Sequence, residues 1–319
     1  MWAMIRPDAM EILTNDRVVS SLYHYFSVLR GDSNPRYREN PDKIRGNLET
    51  AREMMKKCRM CGRLCGTDRT RFQGLCGVGD ISYVSSYGQH LGEEPELVPS
   101  GTIFFSGCNL HCIYCQNWDI SWRGDNGFAV DGKKLAEIME ELSETCRNIN
   151  LVGGDPIPHI AVILDALAQT NINKPVIWNS NMYLSEEGRS LLRGIVDLFL
   201  TDFKYGNDGC AEKLSGVKNY FSIASESHLW AKNEADIIIR HLVLPGHIEC
   251  CTKPVLDWIY DNMGSSVRVN LMDQYSPNPQ VRQGHGDLSQ PLSSDEFEAA
   301  VRYAHEIGLE NLVGIDDTL

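Results

Sequence analysis

The sequence predicts an α/β fold in which parallel strands alternate with helices, set behind a helical extension and a cysteine-rich module. Three observations predict it. From residue 101 onward, six short β-branched and aromatic runs alternate with amphipathic stretches, the pattern of βαβ units with right-handed crossovers. Runs such as DIIIRHLVL (236–244) are strongly apolar, which suits strands buried on both faces. The segments after these runs collect cysteines, glycines, amides and charges, and barrels and open α/β sheets place their chemistry at the C-terminal ends of their strands.

Taken in order, residues 1–57 read as mostly helical and polar, interrupted by the two prolines of NPRYRENPDKIRGN (34–47). Residues 58–100 are rich in cysteine, glycine and arginine without a helical period. They read as a loop-built module that needs a metal to hold it. From 101 to 319 the strand candidates are TIFFSG (102–107), NINLVGG (148–154), PVIWNSN (175–181), VDLFLTDFK (196–204), DIIIRHLVLPG (236–246) and SVRVNLMDQY (266–275). Between them, Leu135, Ile138, Met139, Leu142 and Cys146 recur at helical spacing over 132–146. Residues 157–170, 185–193, 250–263 and 293–307 look similar, the last opening with the capping signal SSDE.

The length of 319 residues suits an α/β barrel with an extension. An apolar content of 42% with 23% charged residues describes a globular protein. The net charge of −13 argues against a nonspecific nucleic-acid binder. No apolar run approaches the roughly 18 residues of a membrane span. MWAMIRPDAMEIL at the N-terminus carries acids and a proline where a signal peptide needs an apolar core. Together these predict a cytoplasmic protein.

Eleven cysteines in a reducing compartment read as metal ligands or catalytic thiols rather than a disulfide framework. Cys58, Cys61, Cys65 and Cys76 follow C-x2-C-x3-C-x10-C, a strong metal signal. Four ligands suggest a closed site, and the spacing leaves structural zinc and a 4Fe–4S cluster both open. Seven cations between 52 and 71 (Arg52, Lys56, Lys57, Arg59, Arg63, Arg69, Arg71) face only Glu53 and Asp68. They read as charge balance on a solvated surface ahead of a site for an anionic partner. Cys146, Cys210, Cys250 and Cys251 read as buried small apolar side chains.

A second set, Cys108, Cys112 and Cys115 in GCNLHCIYCQNWD, has three cysteines where a closed site takes four. Three thiolates on a 4Fe–4S cluster leave one iron open to a ligand that chelates through its amine and carboxylate. A Cys3His zinc site using His111 is the alternative, and the adjacency of His111 to Cys112 makes joint ligation awkward. Trp118 and Trp122 either stack on a substrate or pack the loop.

C-x3-C-x2-C with an aromatic before its last cysteine (CNLHCIYC) resembles the signature of the radical S-adenosylmethionine (SAM) superfamily. GGDP (153–156), DFK (202–204), NSN (179–181) and RHLVLPG (240–246) resemble segments of its pyruvate formate-lyase activating enzymes. The resemblance covers roughly residues 101–280 and implies a partial (β/α)6 barrel, matching the six strands. It implies that Cys108, Cys112 and Cys115 bind a 4Fe–4S cluster and that Tyr114 packs near the adenine. It places Gly153, Gly154 and Asp155 at the SAM amino group, and Asn179, Asp202 and Lys204 by the methionine carboxylate or a nearby cation. It further implies reductive cleavage of SAM to a 5′-deoxyadenosyl radical that abstracts hydrogen from a small molecule or peptide, with electrons from a one-electron donor such as flavodoxin or ferredoxin. A glycyl-radical enzyme activase is the alternative; there the cysteine-rich insert commonly follows the triad, whereas here the module precedes it. A non-catalytic iron–sulfur or zinc protein would not need GGDP and DFK.

Overall fold

The computed structural model describes residues 16–314 apart from 93, 283 and 285; the N-terminal segment read above for a signal peptide lies outside the described residues. Eight strands form one sheet: β1 (Ser82–His90), β2 (Ser100–Phe105), β3 (Phe128–Val130), β4 (Asn148–Gly153), β5 (Val176–Ser180), β6 (Leu198–Asp202), β7 (Asp236–Leu242) and β8 (Arg268–Met272). Their order is β3-β1-β2-β4-β5-β6-β7-β8. From β2 to β8 every pairing is parallel, so the six expected strands sit side by side in chain order. The sheet does not close, because β3 and β8 are its two edges.

The segment expected to be loop throughout 58–100 is loop only in its first part. Residues 82–90 form β1, which pairs antiparallel with both β2 and β3 and widens the sheet by a hairpin edge. Its sequence, SYVSSYGQH, has small and polar residues at half-exposed positions, so neither period stands out.

Among the described residues the helices are α1 (Asp16–Ser21), α2 (Tyr23–Arg30), α3 (Arg36–Glu39), α4 (Pro41–Met55), α5 (Trp118–Ser121), α6 (Gly132–Ser143), α7 (Ile160–Gln169), α8 (Glu186–Leu192), α9 (Asp208–Ser215), α10 (Tyr220–Glu234), α11 (Lys253–Met263) and α12 (Ser294–Glu306). Pro35 and Pro41 mark helix starts: Pro35 precedes α3 and Pro41 is the first residue of α4, where a missing N–H costs nothing. Ser293 and Glu296 make the reciprocal capping box expected at α12. The sequence reading did not include α9 and α10. Past Tyr220, the buried positions of α10 are Ala224, Ser225, Ser227, His228 and Ala231, which are small or polar. Among the described residues no helix is long and apolar enough to cross a membrane.

The period-2 alternation of the strands divides the core. Trp178 and Phe199 belong to the large cluster that includes the crossover helices. Ile177, Leu198, Leu200 and Ile238 instead pack with Val18, Leu22, Tyr25 and Phe26 of the N-terminal helical segment. That segment is fixed to the N-terminal ends of the strands. Asp236 at the start of β7 accepts from Tyr25 N (2.7 Å), and Asn148 at the start of β4 donates to the Tyr25 hydroxyl (2.9 Å). Asp197, just before β6, accepts from Arg36 N at 2.9 Å. The N-terminal helices thus occupy one end of the sheet, leaving the C-terminal strand ends for the site.

Residues 58–81 are held by turns and by one buried guanidinium. Arg69 is 2% exposed and donates to the carbonyls of Val78 (3.1 Å), Gly79 (3.2 Å) and Pro158 (2.5 Å). Other members of the basic patch are similarly engaged: Arg63 donates to the carbonyls of Asn109 and Gly216, while Arg52, Lys56 and Arg59 pair with Asp165, Glu53 and Glu187. Arg69 and Arg63 brace the module from within, whereas Arg52, Lys56 and Arg59 form largely exposed ion pairs. Arg69→Met leaves two buried carbonyls and one part-buried carbonyl without their donor, a loss of about 3 kcal/mol. At roughly 2 °C per kcal/mol for a chain of this size, the thermal midpoint falls by about 6 °C. Arg71→Met, at an exposed position, leaves it unchanged, and equal midpoints for the two variants would contradict the bracing role.

Candidate active site

The cysteine loop leaves β2 through Ser106 and Gly107. Gly107 has φ +88°, and a Cβ there would lie 2.5 Å from Val78 Cγ2 and 2.6 Å from the Cys76 carbonyl. On its other side the loop meets the end of β4. A Cβ on Gly153 would fall 2.1 Å from the Phe105 carbonyl oxygen, and one on Gly154 2.2 Å from that of Gly107. Without those carbons, Gly154 N donates to Phe105 O (2.8 Å) and Asp155 N to Gly107 O (3.1 Å). Cys108 N donates to Cys76 O at 3.1 Å, which ties the triad directly to the second cysteine set.

A cavity of about 330 Å³ opens inside the sheet from this loop. Its walls include Cys108, Cys112, Cys115, Tyr114, Gly153, Gly154, Asn179, Asp202 and Lys204, so the residues singled out in the sequence converge there apart from Asp155 and the 58–76 cysteines. Cys108 accepts from Leu110 N (3.4 Å) and Asn181 Nδ2 (3.7 Å), and Cys112 from Ser215 Oγ (3.0 Å). Cys115 Sγ lies 3.4 Å from Ser121 Oγ. Tyr114 is buried with its ring 6.3 Å from that of Tyr205. His111, by contrast, is exposed. Burial pushes the Cys108 thiol well above its usual range and the Cys115 thiol upward as well. Thiols held neutral by burial become ligands when a metal supplies the opposing charge.

Asp155 is placed differently from the expectation. It is 1% exposed, and its carboxylate accepts from Ser180 Oγ (2.9 Å), Asn181 N (3.0 Å) and Ile157 N (3.0 Å). Burial raises it to about 6 despite those donors. It fastens the β4 turn to the β5 turn, and it is Asn181, held by that contact, that reaches Cys108.

The wall formed by β5, β6 and β7 carries an ionic cluster. Asp202 accepts from Lys204 Nζ (2.8 Å) and from Arg240 Nε (2.9 Å), and Asn179 Oδ1 accepts from Arg240 Nη2 (2.6 Å). Burial alone would raise the Asp202 carboxyl, but the Arg240 and Lys204 charges outweigh it and hold the group down at about 2. Burial likewise opposes the Lys204 charge, and the Asp202 carboxylate overrides it and raises the ammonium. The Cys112 sulfur acts on Lys204 in the same direction. Arg240 also lines the cavity, and the sequence reading passed over it as a site residue. Its signal was a lone arginine inside an apolar strand.

Cys58, Cys61, Cys65 and Cys76 lie outside this cavity and within electrostatic reach of one another. Burial raises Cys61 to about 12 and Cys76 upward. None of the eleven cysteines is paired in a disulfide. Cys146 is buried as expected. The other three isolated cysteines are not simple apolar filling: Cys210, Cys250 and Cys251 converge on His247.

Residues 102–259 match the model of the radical SAM superfamily. The chain is 43% identical over 276 residues to an uncharacterised protein of Methanocaldococcus jannaschii, covering 85% of this chain and 80% of that one. It is 26% identical over 153 residues to the pyruvate formate-lyase 1-activating enzyme of Escherichia coli K12, covering 45% of this chain and 60% of the relative. Among solved structures, SuiB of Streptococcus suis bound to S-adenosylmethionine is similar with a TM-score of 0.48 and 14% identity, over 62% of this chain and 44% of that one. The chain belongs to the radical SAM superfamily, whose enzymes work with a 4Fe–4S cluster and S-adenosylmethionine.

Proposed function

We propose that Cys108, Cys112 and Cys115 hold a 4Fe–4S cluster, and that the protein cleaves SAM there to abstract hydrogen from a small molecule or peptide. The observation that carries this reading is the convergence on one cavity of three thiols, a glycine pair that a Cβ would displace, and the Lys204–Asp202–Arg240 cluster. This donor set fits the group: three cysteines suit a cluster with one iron left for an exchangeable ligand. When bound, the cluster supplies the electron that splits the sulfonium to methionine and a 5′-deoxyadenosyl radical.

The chain's own residues bind and orient. Gly153 and Gly154 let the end of β4 approach the cysteine loop and leave room beside it for the amino end of SAM. Lys204, kept charged by Asp202, would meet the carboxylate end, while Arg240, itself bonded to Asn179, holds Asp202 in place. Tyr114, on the cavity wall, would flank the adenine. Tyr114 and Tyr205, both buried, help exclude water from a reactive species. A one-electron donor of the flavodoxin or ferredoxin kind, in the cytoplasm, completes the requirement.

A second reading, activation of a glycyl-radical partner, is favoured by the match to the activating enzyme. In that case the hydrogen comes from a partner's glycine, and incubation with that partner and SAM leaves a persistent protein radical on it. We favour a second iron–sulfur cluster at Cys58, Cys61, Cys65 and Cys76. The Cys108 N–Cys76 O hydrogen bond sets these thiols directly beside the triad, where a second cluster would pass electrons to the first.

Replacing Cys108, Cys112 and Cys115 together with alanine is expected to abolish the SAM-induced change in the electron paramagnetic resonance spectrum of the reduced protein. The same variant is expected to retain about four irons with sulfide. A spectrum that still responds to SAM contradicts the triad assignment, and loss of all sulfide contradicts the second cluster.

Lys204→Ala is expected to weaken SAM binding without changing iron content. A charge-assisted contact contributes about 1.5–3 kcal/mol, about ten- to a hundredfold in affinity. Unaltered affinity in fully reconstituted protein rejects the role and leaves the Asp202 pair as wall structure.

A further inference from the structure

We infer that Cys210, His247, Cys250 and Cys251 form a four-ligand site for a single zinc ion, separate from both iron–sulfur sets. Their ligand atoms all lie within 4.8 Å of one another. Cys210 Sγ is 3.7 Å from Cys250 Sγ, and Cys250 Sγ is 3.9 Å from Cys251 Sγ. His247 Nδ1 is 3.2 Å from Cys250 Sγ, 3.8 Å from Cys210 Sγ and 3.9 Å from Cys251 Sγ. A tetrahedral zinc with Zn–S near 2.3 Å and Zn–N near 2.0–2.1 Å requires S···S of about 3.8 Å and S···N of about 3.6 Å. Five of the six separations lie within about 0.4 Å of those values, and the sixth, Cys210 Sγ to Cys251 Sγ, is under 4.8 Å. They are too tight for a cubane, which spreads its thiolates over four irons. Three thiolates and an imidazole are also the mixed soft and borderline set that zinc accepts as a closed structural site.

The backbone brings the four together from two loops. Cys210 lies in the first turn of α9, whose N-cap is Asn207: its Oδ1 accepts from Cys210 N at 2.8 Å. The Asn207 Nδ2 donates to Cys250 O at 2.7 Å, so one amide spans both segments. Cys250 and Cys251 sit in a π-helical turn, Ile248–Thr252, in which both Cys251 N and Thr252 N donate to His247 O. Such widened turns recur at functional sites. Here the turn carries two adjacent cysteines to one centre.

The site's position gives it a role. The segment that carries Lys204 after β6 runs into the first turn of α9 at Cys210, and the segment that follows β7, the strand carrying Arg240, leads to His247. At the far end of α9, Ser215 donates to Cys112 and Leu214 O accepts from Ile113 N at 2.9 Å. Zinc at this position staples the two loops behind the ionic wall and fixes the helix that backs the cysteine triad.

The test is zinc, iron and sulfide content per chain in protein purified anaerobically without chelator, for the parent and for a Cys250→Ala, Cys251→Ala double variant. The variant is expected to contain one zinc fewer than the parent, with iron and sulfide unchanged; the difference is the readout, whatever metal the 58–76 set holds. Because the variant could misfold, zinc X-ray absorption of the parent provides an independent check. The expected shell is three sulfurs near 2.3 Å and one nitrogen near 2.0–2.1 Å. Equal zinc in parent and variant, a parent without zinc, a shell lacking the mixed sulfur and nitrogen set, loss of iron and sulfide with the two cysteines, or a disulfide among these cysteines in the parent would each overturn the inference.

Discussion

The cysteine loop rests on backbone packed directly against backbone, with no room for a side chain between. Gly107 lies against the Cys76 carbonyl on one side, and Gly154 lies against Gly107 on the other. A single β-carbon at either position would push the loop away from the end of β4 or from the preceding cysteine segment. Everything specific about the site follows from that stacking. It sets where Cys108 stands, it brings Asp155 within reach of the β5 turn, and through that turn it places Asn181 on Cys108. It also explains why the two cysteine sets adjoin: Cys108 N and Cys76 O share a hydrogen bond.

Around that loop the charges are sorted by the two ends of the sheet. The N-terminal strand ends are occupied by α2 and the segment around it, whose backbone amides satisfy Asp197 and Asp236. The C-terminal ends hold the thiols and, on the facing strands, Lys204 and Arg240 around Asp202. Burial disfavours the thiolates and the isolated ammonium alike. The arrangement therefore becomes favourable when opposite charges are supplied, by iron to the sulfurs and by an anion to the cationic wall. A chain with a net charge of −13 thus keeps a local cationic surface where a carboxylate ligand would dock.

Much of this was legible in the sequence because parallel strands are apolar on both faces and their C-terminal loops carry unusual side chains. TIFFSG, NINLVGG and the four later runs fall on strands in the expected order, and the triad and DFK fall on one cavity. The failures have physical reasons. β1 is a half-exposed strand without a clear period, paired on both sides, and past Tyr220 the buried positions of α10 are small or polar, so neither had a hydrophobic signature. Asp155 was read by its position after the glycines, whereas its side chain is captured by the neighbouring turn. Arg240 was hidden inside an apolar strand. The cysteines at 210 and 250 are 40 residues apart in sequence and meet only because β6 and β7 are neighbours; the local H-x2-C-C spacing of 247–251 was the available hint.

The most direct measurement is product analysis of SAM incubated anaerobically with reconstituted, chemically reduced protein. Formation of methionine and 5′-deoxyadenosine in equal amounts, absent when Cys108, Cys112 and Cys115 are replaced, is the predicted result. Recovery of intact SAM from protein shown to carry a reduced cluster would contradict the catalytic reading and leave the cavity a binding site only.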